Sequence, residues 1–169
     1  MASDERVTLV ASEHEAWARK AAEMAVEILE HLPNAKIEHI GSTSVPGLPA
    51  KPVVDLAVGM AAGEIVLAGR ELARLGFDLE GKRADHAWLS YPDRSARVFV
   101  IHIFEFQGEE WNKRLRFRDI LLTNKRSREK YLAVKRAAAA LADGWGEYTR
   151  AKSSVVSEIL ANDSFDRTC

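Results

Sequence analysis

The chain has 169 residues, of which 47% are hydrophobic and 29% are charged, a length and composition typical of one folded domain. Its 24 Lys and Arg nearly balance its 25 Asp and Glu, so it lacks the overall basic character of most nucleic-acid-binding proteins. The single cysteine, Cys169, excludes an intrachain disulfide and a cysteine-based zinc site.

The sequence also indicates a compartment and a class of partner. It begins without the basic and apolar segments of a signal peptide, and no apolar run approaches the roughly 18 residues of a membrane-spanning helix. We therefore expect a cytoplasmic protein that binds a small molecule, and we expect neither a membrane nor a nucleic acid as its partner. Local basic stretches occur at 113–118 and 125–128. The oligomeric state is left open.

The first predicted element is an amphipathic helix over residues 12–31. Apolar side chains recur there at helical spacing, and Ser12 is placed to cap the N-terminus. A short strand is predicted at 36–40. Residues 41–52 contain two Gly, three Pro and a Ser-Thr-Ser run, which indicates a tight loop of specific shape without regular structure.

The strongest strand is predicted at 52–59, where near-continuous apolar character indicates burial on both faces. A helix at 62–75 is expected to end at Gly76. Further strands are predicted at 77–80, 87–91 and 97–106. Alternation on the last of these places Val100, His102, Phe104 and Phe106 on one face and Phe99, Ile101, Ile103 and Glu105 on the other.

The last third of the sequence has a helical pattern. Helices are predicted at 109–123, 126–142 and 146–161, with breaks at 123–124 and 143–144. Residues 1–169 are therefore expected to form one domain of α/β or α+β type, with a sheet of about five strands and a helical C-terminal third.

The loop after the first strand is the first candidate site. Its backbone amides, three hydroxyls and a nearby lysine can converge on a phosphate group with little steric obstruction. The residues concerned are Gly41, Ser42, Thr43, Ser44 and Lys51. The spacing of a Walker loop is absent. The alternative is a turn whose hydroxyls satisfy its own backbone.

Polar side chains within or beside apolar strands are the second candidate. Asp55 is the one charge in the strand at 52–59, and a buried carboxylate is costly unless it is paired or binds a metal. Its alternative role is an ion pair with Lys51, an arginine or loop amides. His102 is either a catalytic group or ligand, or else a hydrogen-bonded core residue, and Glu38 and His39 carry the same two interpretations.

Three further features are given simpler interpretations. Tyr148 and Lys152 are four residues apart and so share one face of a helix, where they either meet an anionic ligand or pack their stems and reach solvent. His86 is predicted to be a surface residue of a polar turn. The four tryptophans are interpreted as core or partly buried anchors and not as a stacking platform.

The residues at 37–55, Ile-Glu-His-Ile-Gly-Ser-Thr-Ser-Val-Pro-Gly-Leu-Pro-Ala-Lys-Pro-Val-Val-Asp, closely resemble the hallmark segment of the GrpB family. The similarity continues through 117–119, Tyr131 with Lys135, and Tyr148 with Lys152. It implies a nucleotidyltransferase-like mixed sheet with packed helices. In active nucleotidyltransferases a Gly-Ser loop holds the triphosphate, and an Asp-x-Asp pair on the next strand holds two Mg²⁺ ions.

This sequence departs from that pattern at two positions. Ala57 stands where the second carboxylate would be, as is usual for GrpB relatives, and Val100 replaces the first histidine of the family's His-Leu-His pattern, of which His102 matches the second. The resemblance also implies a third carboxylate on a later strand, and the best candidates for that position, His102 and Glu105, are unconvincing. These departures from the family pattern weaken the case for metal catalysis and leave the case for anion binding intact.

Three functions follow as hypotheses. The first is nucleotidyl or phosphoryl transfer from a nucleoside triphosphate, with Ser42 and Ser44 on the phosphates, Asp55 on Mg²⁺, His102 or Glu38 as base or second ligand, and Lys51 and Lys152 offsetting charge. The second is a non-catalytic module that binds a nucleotide or another anion on the same scaffold. The third is an accessory role, suggested by relatives fused to dephospho-coenzyme A kinase.

Overall fold

The computed structural model describes residues 7–141 and 145–166. Within these ranges the chain forms one five-stranded sheet and five α-helices. The break expected at 143–144 and the cysteine Cys169 lie outside the described residues. In the part of the chain that is described, no helix is both long enough and apolar enough to cross a membrane.

The helices are α1 (His14–His31), α2 (Ile65–Arg74), α3 (Glu109–Thr123), α4 (Lys125–Leu141) and α5 (Trp145–Asp166). The strands are β1 (Lys36–Ile40), β2 (Val54–Met60), β3 (Asp78–Lys82), β4 (His86–Tyr91) and β5 (Phe99–Glu105). These elements are the predicted ones, with their ends displaced by a few residues.

Two local predictions are wrong. Ser12 does not cap α1, because the helix begins at His14 and Glu13 holds the N-cap position. The Ser12 hydroxyl is buried and has no hydrogen-bond partner among the described residues. Residues 41–52 are also not wholly irregular, since Ser42–Ser44 form one 3-10 turn. Gly76 follows α2 with a φ of 102°, the left-handed conformation that glycine adopts most easily after a helix.

The sheet is mixed, and its strand order is β1-β2-β5-β4-β3. Strand β2 pairs antiparallel with β1 and parallel with β5, and β4 lies antiparallel between β5 and β3. Because β2 and β5 are parallel, the chain must cross over between them, and α2, β3 and β4 make that crossing. The α+β class and the mixed sheet are therefore confirmed.

The two faces of the sheet are covered by different helices. On one face an apolar core joins the sheet to α1 and α2, and includes Trp17, Ile28, Leu56, Leu72, Ile101 and Ile103. Each such side chain contributes about 1.5–3 kcal/mol to stability when fully buried. On the other face Ala57 and Phe104 pack with Trp111 of α3. Burial of β2 on both faces confirms the prediction from its composition.

The C-terminal helices form a smaller core of their own against the loop at 41–51. Val45 and Leu48 of the loop pack with residues of α3, α4 and α5, among them Leu121, Tyr131 and Ile159. Between this cluster and the second face of the sheet lies a cavity with several charged side chains on its walls.

Candidate functional site

The cavity has a volume of about 560 Å³ and lies between the sheet and the helices α3, α4 and α5. It brings together most of the side chains that the sequence singled out. Those that line it are Gly41, Ser42, Thr43, Lys51, Asp55, His102, Tyr148 and Lys152. Glu38 and Ser44 are not among the lining residues.

The loop starts directly beside the carboxylate. In the register of β1 and β2, Ile40 pairs with Asp55, so the next residue, Gly41, begins the loop at the level of the Asp55 side chain. Gly41 has a φ of 73°, which lies in the left-handed region that favours glycine. The backbone therefore turns at this point, and it carries Ser42 over the cavity.

Hydrogen bonds inside the loop fix its shape. The Ser44 hydroxyl donates to the Gly41 carbonyl oxygen at 2.5 Å. His39 Nε2 lies 2.8 Å from the Thr43 hydroxyl, and His14 Nδ1 donates to the Thr43 carbonyl oxygen at 3.3 Å. Thr43 and Ser44 are buried, so the Thr43 hydroxyl is engaged with His39 of β1 and the Ser44 hydroxyl acts within the loop. The Ser42 hydroxyl lies on the cavity wall, 3.5 Å from the Tyr131 hydroxyl.

Lysines from three separate segments converge on one end of the cavity. Lys51 comes from the loop, Lys135 from α4 and Lys152 from α5. The Lys135 side chain is 1% exposed, and its Nζ donates to the Pro49 carbonyl oxygen at 2.9 Å. We call the set formed by Lys51, Lys135 and Lys152 the lysine cluster.

Tyr148 lies between two of these lysines. Its ring centroid is 5.4 Å from Lys51 Nζ and 4.6 Å from Lys152 Nζ, so Tyr148 and Lys152 share one helix face, as their spacing predicts. The Tyr148 side chain is fully buried, and its hydroxyl has no hydrogen-bond partner among the described residues. A buried hydroxyl without a partner costs about 1–3 kcal/mol, which a ligand oxygen or a water molecule would recover.

Burial and mutual repulsion perturb the charges of the cluster. Burial, followed by repulsion from Lys152, lowers the pKa of Lys51 well below its ordinary value. The same causes lower the pKa of Lys135 to about 7. Burial raises the pKa of the Asp55 carboxyl, while the attraction of Lys51 and Lys152 opposes that rise. The alternative interpretation of Asp55 as the partner of a lysine thus has a physical basis in this cluster.

Two histidines lie next to Asp55 in the cavity, His102 beside Asp55 and His86 beside His102. His102 Nε2 lies 3.9 Å from Asp55 Oδ1, and His102 Nδ1 lies 3.1 Å from His86 Nε2. Burial lowers the pKa of His102 well below its ordinary value and that of His86 to about 4. If His102 carries its single proton on Nε2, facing Asp55, its Nδ1 accepts the Nε2–H of His86.

The prediction that His86 is a surface residue is wrong. The turn between β3 and β4 closes with the Arg83 amide donating to the His86 carbonyl oxygen at 2.7 Å. His86 is therefore the first residue of β4. Strand alternation puts it on the cavity face together with Trp88, whose register partner is His102.

Glu38 is held away from the cavity by an arginine of α3. Its Oε2 accepts a hydrogen bond from Arg118 Nη1 at 2.7 Å, and the same Nη1 donates to the His39 carbonyl oxygen at 3.2 Å. This ion pair joins α3 to β1 and occupies the Glu38 carboxylate. Glu38 therefore does not stand beside Asp55 as a second acidic group.

The side chains near Asp55 do not fit a two-metal centre. Residues 7–141 and 145–166 hold no group of three or more His, Cys, Asp or Glu side chains placed to bind a metal ion. Ala57, at the position of the missing second carboxylate, pairs with Glu38 on one side and His102 on the other. The charges that act on Asp55 come from lysines and an arginine, and these would repel a second cation.

The sequence model of the family described as GrpB protein matches residues 6–162 of this chain. The chain belongs to the GrpB family. A UPF0157 protein of Deinococcus radiodurans is 37% identical over 156 residues, which cover 92% of this chain and 82% of the relative. The crystal structure of the conserved protein GrpB from Enterococcus faecalis superposes with a TM-score of 0.76 at 29% identity, and covers 92% of this chain and 98% of that one.

This GrpB-family fold is also similar to that of nucleotidyltransferases. A crystal structure of the Cid1 poly(U) polymerase matches with a TM-score of 0.54 at 17% identity. The match covers 77% of this chain but only 43% of the polymerase. The likeness establishes the fold alone, and confirms the nucleotidyltransferase-like architecture implied by the resemblance at 37–55.

The principal cavity residue that the site prediction missed is Lys135. A signal was present in the sequence, because Tyr131, Lys135 and Ala138 recur at helical spacing on α4 and all three are buried. A lysine inside such an apolar row is unusual, since lysine is almost never fully buried unless it has a partner. For His86, the corresponding signal is the alternation of His86, Trp88 and Ser90 along one strand face.

Proposed function

We propose that this GrpB-family chain binds the phosphate groups of a small phosphorylated molecule, with a nucleotide as the expected ligand, at the lysine cluster. The observation that carries the proposal is the convergence of Lys51, Lys135 and Lys152 beside Ser42. Among the described residues that line the cavity, lysines and arginines outnumber carboxylates by seven to two. The cavity therefore attracts anions, although the whole chain carries a net charge of only -1.

The energetics of the cluster favour a bound anion. Buried ammonium groups destabilise a folded chain when they lack a compensating charge. Burial lowers the pKa of Lys51 and Lys135, so a phosphate group bound beside them would favour their charged forms, as the carboxylate of Asp55 does. The buried Tyr148 hydroxyl would donate to a phosphate oxygen, and the Ser42 hydroxyl would donate to another.

Nucleotidyl or phosphoryl transfer is the second candidate, and a specific contact favours it. In the tautomer whose Nδ1–H donates to His86, His102 Nε2 is free to accept a proton from an acceptor hydroxyl, and it lies 3.9 Å from Asp55 Oδ1. In this candidate Lys51 and Lys152 stabilise charge that develops on the phosphate. The expectation of Mg²⁺ stays a prediction, for which the donor set offers Asp55 alone.

Calorimetry tests the binding proposal. ATP, GTP, CTP, UTP and inorganic tripolyphosphate are titrated into the protein with and without Mg²⁺, and the titrations are repeated with Lys152→Ala and Lys51→Ala. We expect at least one of these phosphate compounds to bind, and each variant to weaken that binding about tenfold or more. Lys125→Ala, which removes an exposed lysine of α4, is the matched control and should bind as the wild type does.

Two results would contradict the proposal. One is the absence of binding for every phosphate compound under all conditions. The other is binding that Lys51→Ala, Lys152→Ala and Lys125→Ala leave equally unchanged, because such binding would lie outside the cavity.

A further inference from the structure

The cavity extends beyond Asp55 and His102 to a second wall, which phosphate binding at the lysine cluster does not use. This wall is formed by β3, β4, the turn between them and the segment that precedes β5, with α3 beside it. Its side chains on the cavity are Glu80, Arg83, His86, Trp88, Arg97 and Arg114. It combines aromatic rings with guanidinium groups, whereas the lysine cluster offers ammonium groups.

Trp88 lies flat against its neighbouring strand because that strand has a glycine opposite it. Gly81 of β3 is its register partner, and a Cβ at position 81 would lie 2.0 Å from Cζ2 of the indole. The ring therefore occupies the space of the absent side chain. Trp88 is half-buried, and it lines the cavity.

Further rings and cations extend this surface. The His86 ring is 4.9 Å from that of Trp88 and 4.6 Å from that of Phe104. Arg83 Cζ lies 5.4 Å from the Trp88 ring centroid, and Arg114 Cζ lies 5.6 Å from that of Phe104. We call His86, Trp88 and Arg83 the Trp88 platform. Proteins that bind nucleotides stack bases on aromatic rings and on guanidinium planes of this kind.

A fixed polar group stands beside the platform. Arg97 donates from Nε and Nη2 to the two carboxylate oxygens of Glu80, at 3.0 and 2.8 Å, and the Ser90 hydroxyl donates to the same carboxylate. Burial raises the pKa of the Glu80 carboxyl, but these hydrogen bonds oppose that rise, and the pKa lies below its ordinary value. A held carboxylate and guanidinium provide an acceptor and donors for the polar edge of a base.

The separation of the two walls fits a nucleotide. The lysine cluster lies at the start of β2, and the platform lies on β4 with β5 between them. Two strand spacings correspond to about 10 Å. An extended nucleoside triphosphate bridges a separation of this order between its base and its terminal phosphates, whereas inorganic phosphate or a phosphorylated sugar reaches only one wall.

We infer that the Trp88 platform binds the base of a nucleoside di- or triphosphate whose phosphates bind the lysine cluster, an inference that rests on the proposed function. This stacking role departs from the expectation drawn from the sequence, in which Trp88 is an anchor and not part of a stacking platform. The base lies against the indole, its polar edge meets Glu80 and Arg97, and the ribose passes over Asp55 and His102.

The test compares ligands with and without a base. ATP, GTP, CTP and UTP are titrated beside inorganic tripolyphosphate, which carries the phosphates alone, into the wild type, Trp88→Leu and Trp88→Phe. We expect at least one nucleotide to bind about tenfold or more tightly than tripolyphosphate, as stacking energies predict. Trp88→Leu should abolish that preference and leave tripolyphosphate binding unchanged. Trp88→Phe should keep much of the preference for the nucleotide. Thermal melting verifies that both variants fold.

The outcomes separate this inference from the proposed function. If tripolyphosphate binds as tightly as every nucleotide, or if Trp88→Leu keeps the preference, the platform does not bind a base, while phosphate binding at the lysine cluster stands. If a short oligonucleotide binds more tightly than any mononucleotide through Trp88, the platform serves a nucleic-acid end and the inference of a mononucleotide is wrong. If no phosphate compound binds, both are overturned.

Discussion

Gly41 and Asp55 are packed so closely that a Cβ at position 41 would lie 2.6 Å from Asp55 Oδ2. Real Cβ atoms do not approach an oxygen so closely, and Gly41 also has a left-handed φ of 73°. Both the contact with Asp55 and the left-handed φ therefore independently favour glycine at position 41. They fix the start of the loop against the carboxylate, and so they set where Ser42 enters the cavity.

Gly41→Ala should weaken both folding and binding. Gly47→Ala is its matched control, because Gly47 has a similar φ of 75° but, apart from Gly47 and its two chain neighbours, no atom of the described residues lies within 4 Å of the position that a Cβ would take. The φ strain alone should cost each variant about 1 kcal/mol of unfolding free energy. Gly41→Ala should lose about 1–3 kcal/mol more through overpacking, and it should bind tripolyphosphate severalfold more weakly. Equal losses in the two variants, measured by denaturant unfolding and calorimetry, would contradict the role assigned to the Gly41–Asp55 contact.

Asp55→Asn separates the two candidate functions, because the amide keeps the shape of the side chain and removes its charge. In a binding module the carboxylate repels the phosphates, so the variant should bind tripolyphosphate roughly five- to tenfold more tightly. In a transferase the same variant should lose turnover, measured as product formed from each nucleoside triphosphate with added acceptors. Unchanged affinity together with unchanged turnover would show that Asp55 serves neither function.

Lys135 should make stability depend on pH above neutrality. Its pKa in the folded chain is about 7, below the ordinary value of 10.5, so the unfolded chain binds the extra proton between these values. Stability therefore rises with pH across this window. Relative to Lys135→Met, the wild type should gain about 3–4 kcal/mol between pH 7 and pH 10. Lys125→Met is the control on the same helix and should follow the wild type. Parallel curves for wild type and Lys135→Met in denaturant titrations would refute this account.

The histidines should make stability depend on pH below neutrality. The pKa values of His39 and His86 are about 4 in the folded chain, against an ordinary 6.5. Between pH 6.5 and pH 4 these imidazole rings bind protons in the unfolded chain but stay largely neutral in the folded chain. The free energy of unfolding therefore falls as the pH decreases towards 4. Each half-buried ring should contribute on the order of 1 kcal/mol after solvent screening. Urea unfolding from pH 7 to pH 4 measures the loss, and a constant midpoint across that range would contradict it.

Arg114 contributes to the neutrality of the histidine pair. After burial it is the largest cause that lowers the pKa of both His86 and His102. Arg114→Ala should therefore raise both pKa values, as measured by NMR titration of the imidazole rings. Lys113→Ala is the control, because Lys113 is the adjacent residue and lies near the same Glu110 carboxylate. Equal shifts in the two variants would mean that Arg114 has no specific effect.

Patterns within the sequence are sufficient to predict the helices and strands, and also the cavity residues that come from the loop, β2 and β5. Alternation on β5 placed Val100, His102 and Phe104 on one face, and the structure has them there. The loop at 41–51 and Asp55 are close in sequence, and this closeness is what the prediction of a common site uses. Antiparallel pairing of β1 with β2 keeps them close in space. Local periodicity and short loops are the information that a single sequence carries most clearly.

Contacts between distant segments could not be predicted in this way. Glu38 was grouped with the site, but its partner Arg118 is 80 residues away and removes it from the cavity. Ser44 was expected on a phosphate and instead bonds the Gly41 carbonyl oxygen, because the 3-10 turn points its hydroxyl back into the loop. The buried Lys135 of α4 donates from Nζ to the Pro49 carbonyl oxygen, 86 residues away in sequence, and the periodicity of α4 does not predict that contact.

The lysine cluster takes Lys51 from the first half of the chain and Lys135 and Lys152 from the C-terminal helices. A bound phosphate would therefore act as a clasp between the sheet and the helices α4 and α5. Its stabilisation should be regional, since a ligand protects most strongly the segments whose opening destroys its site. Amide hydrogen exchange should slow in α4 and α5 when tripolyphosphate is added, and much less in α1. The C-terminal third would then be the part of this chain whose order reports the presence of its ligand.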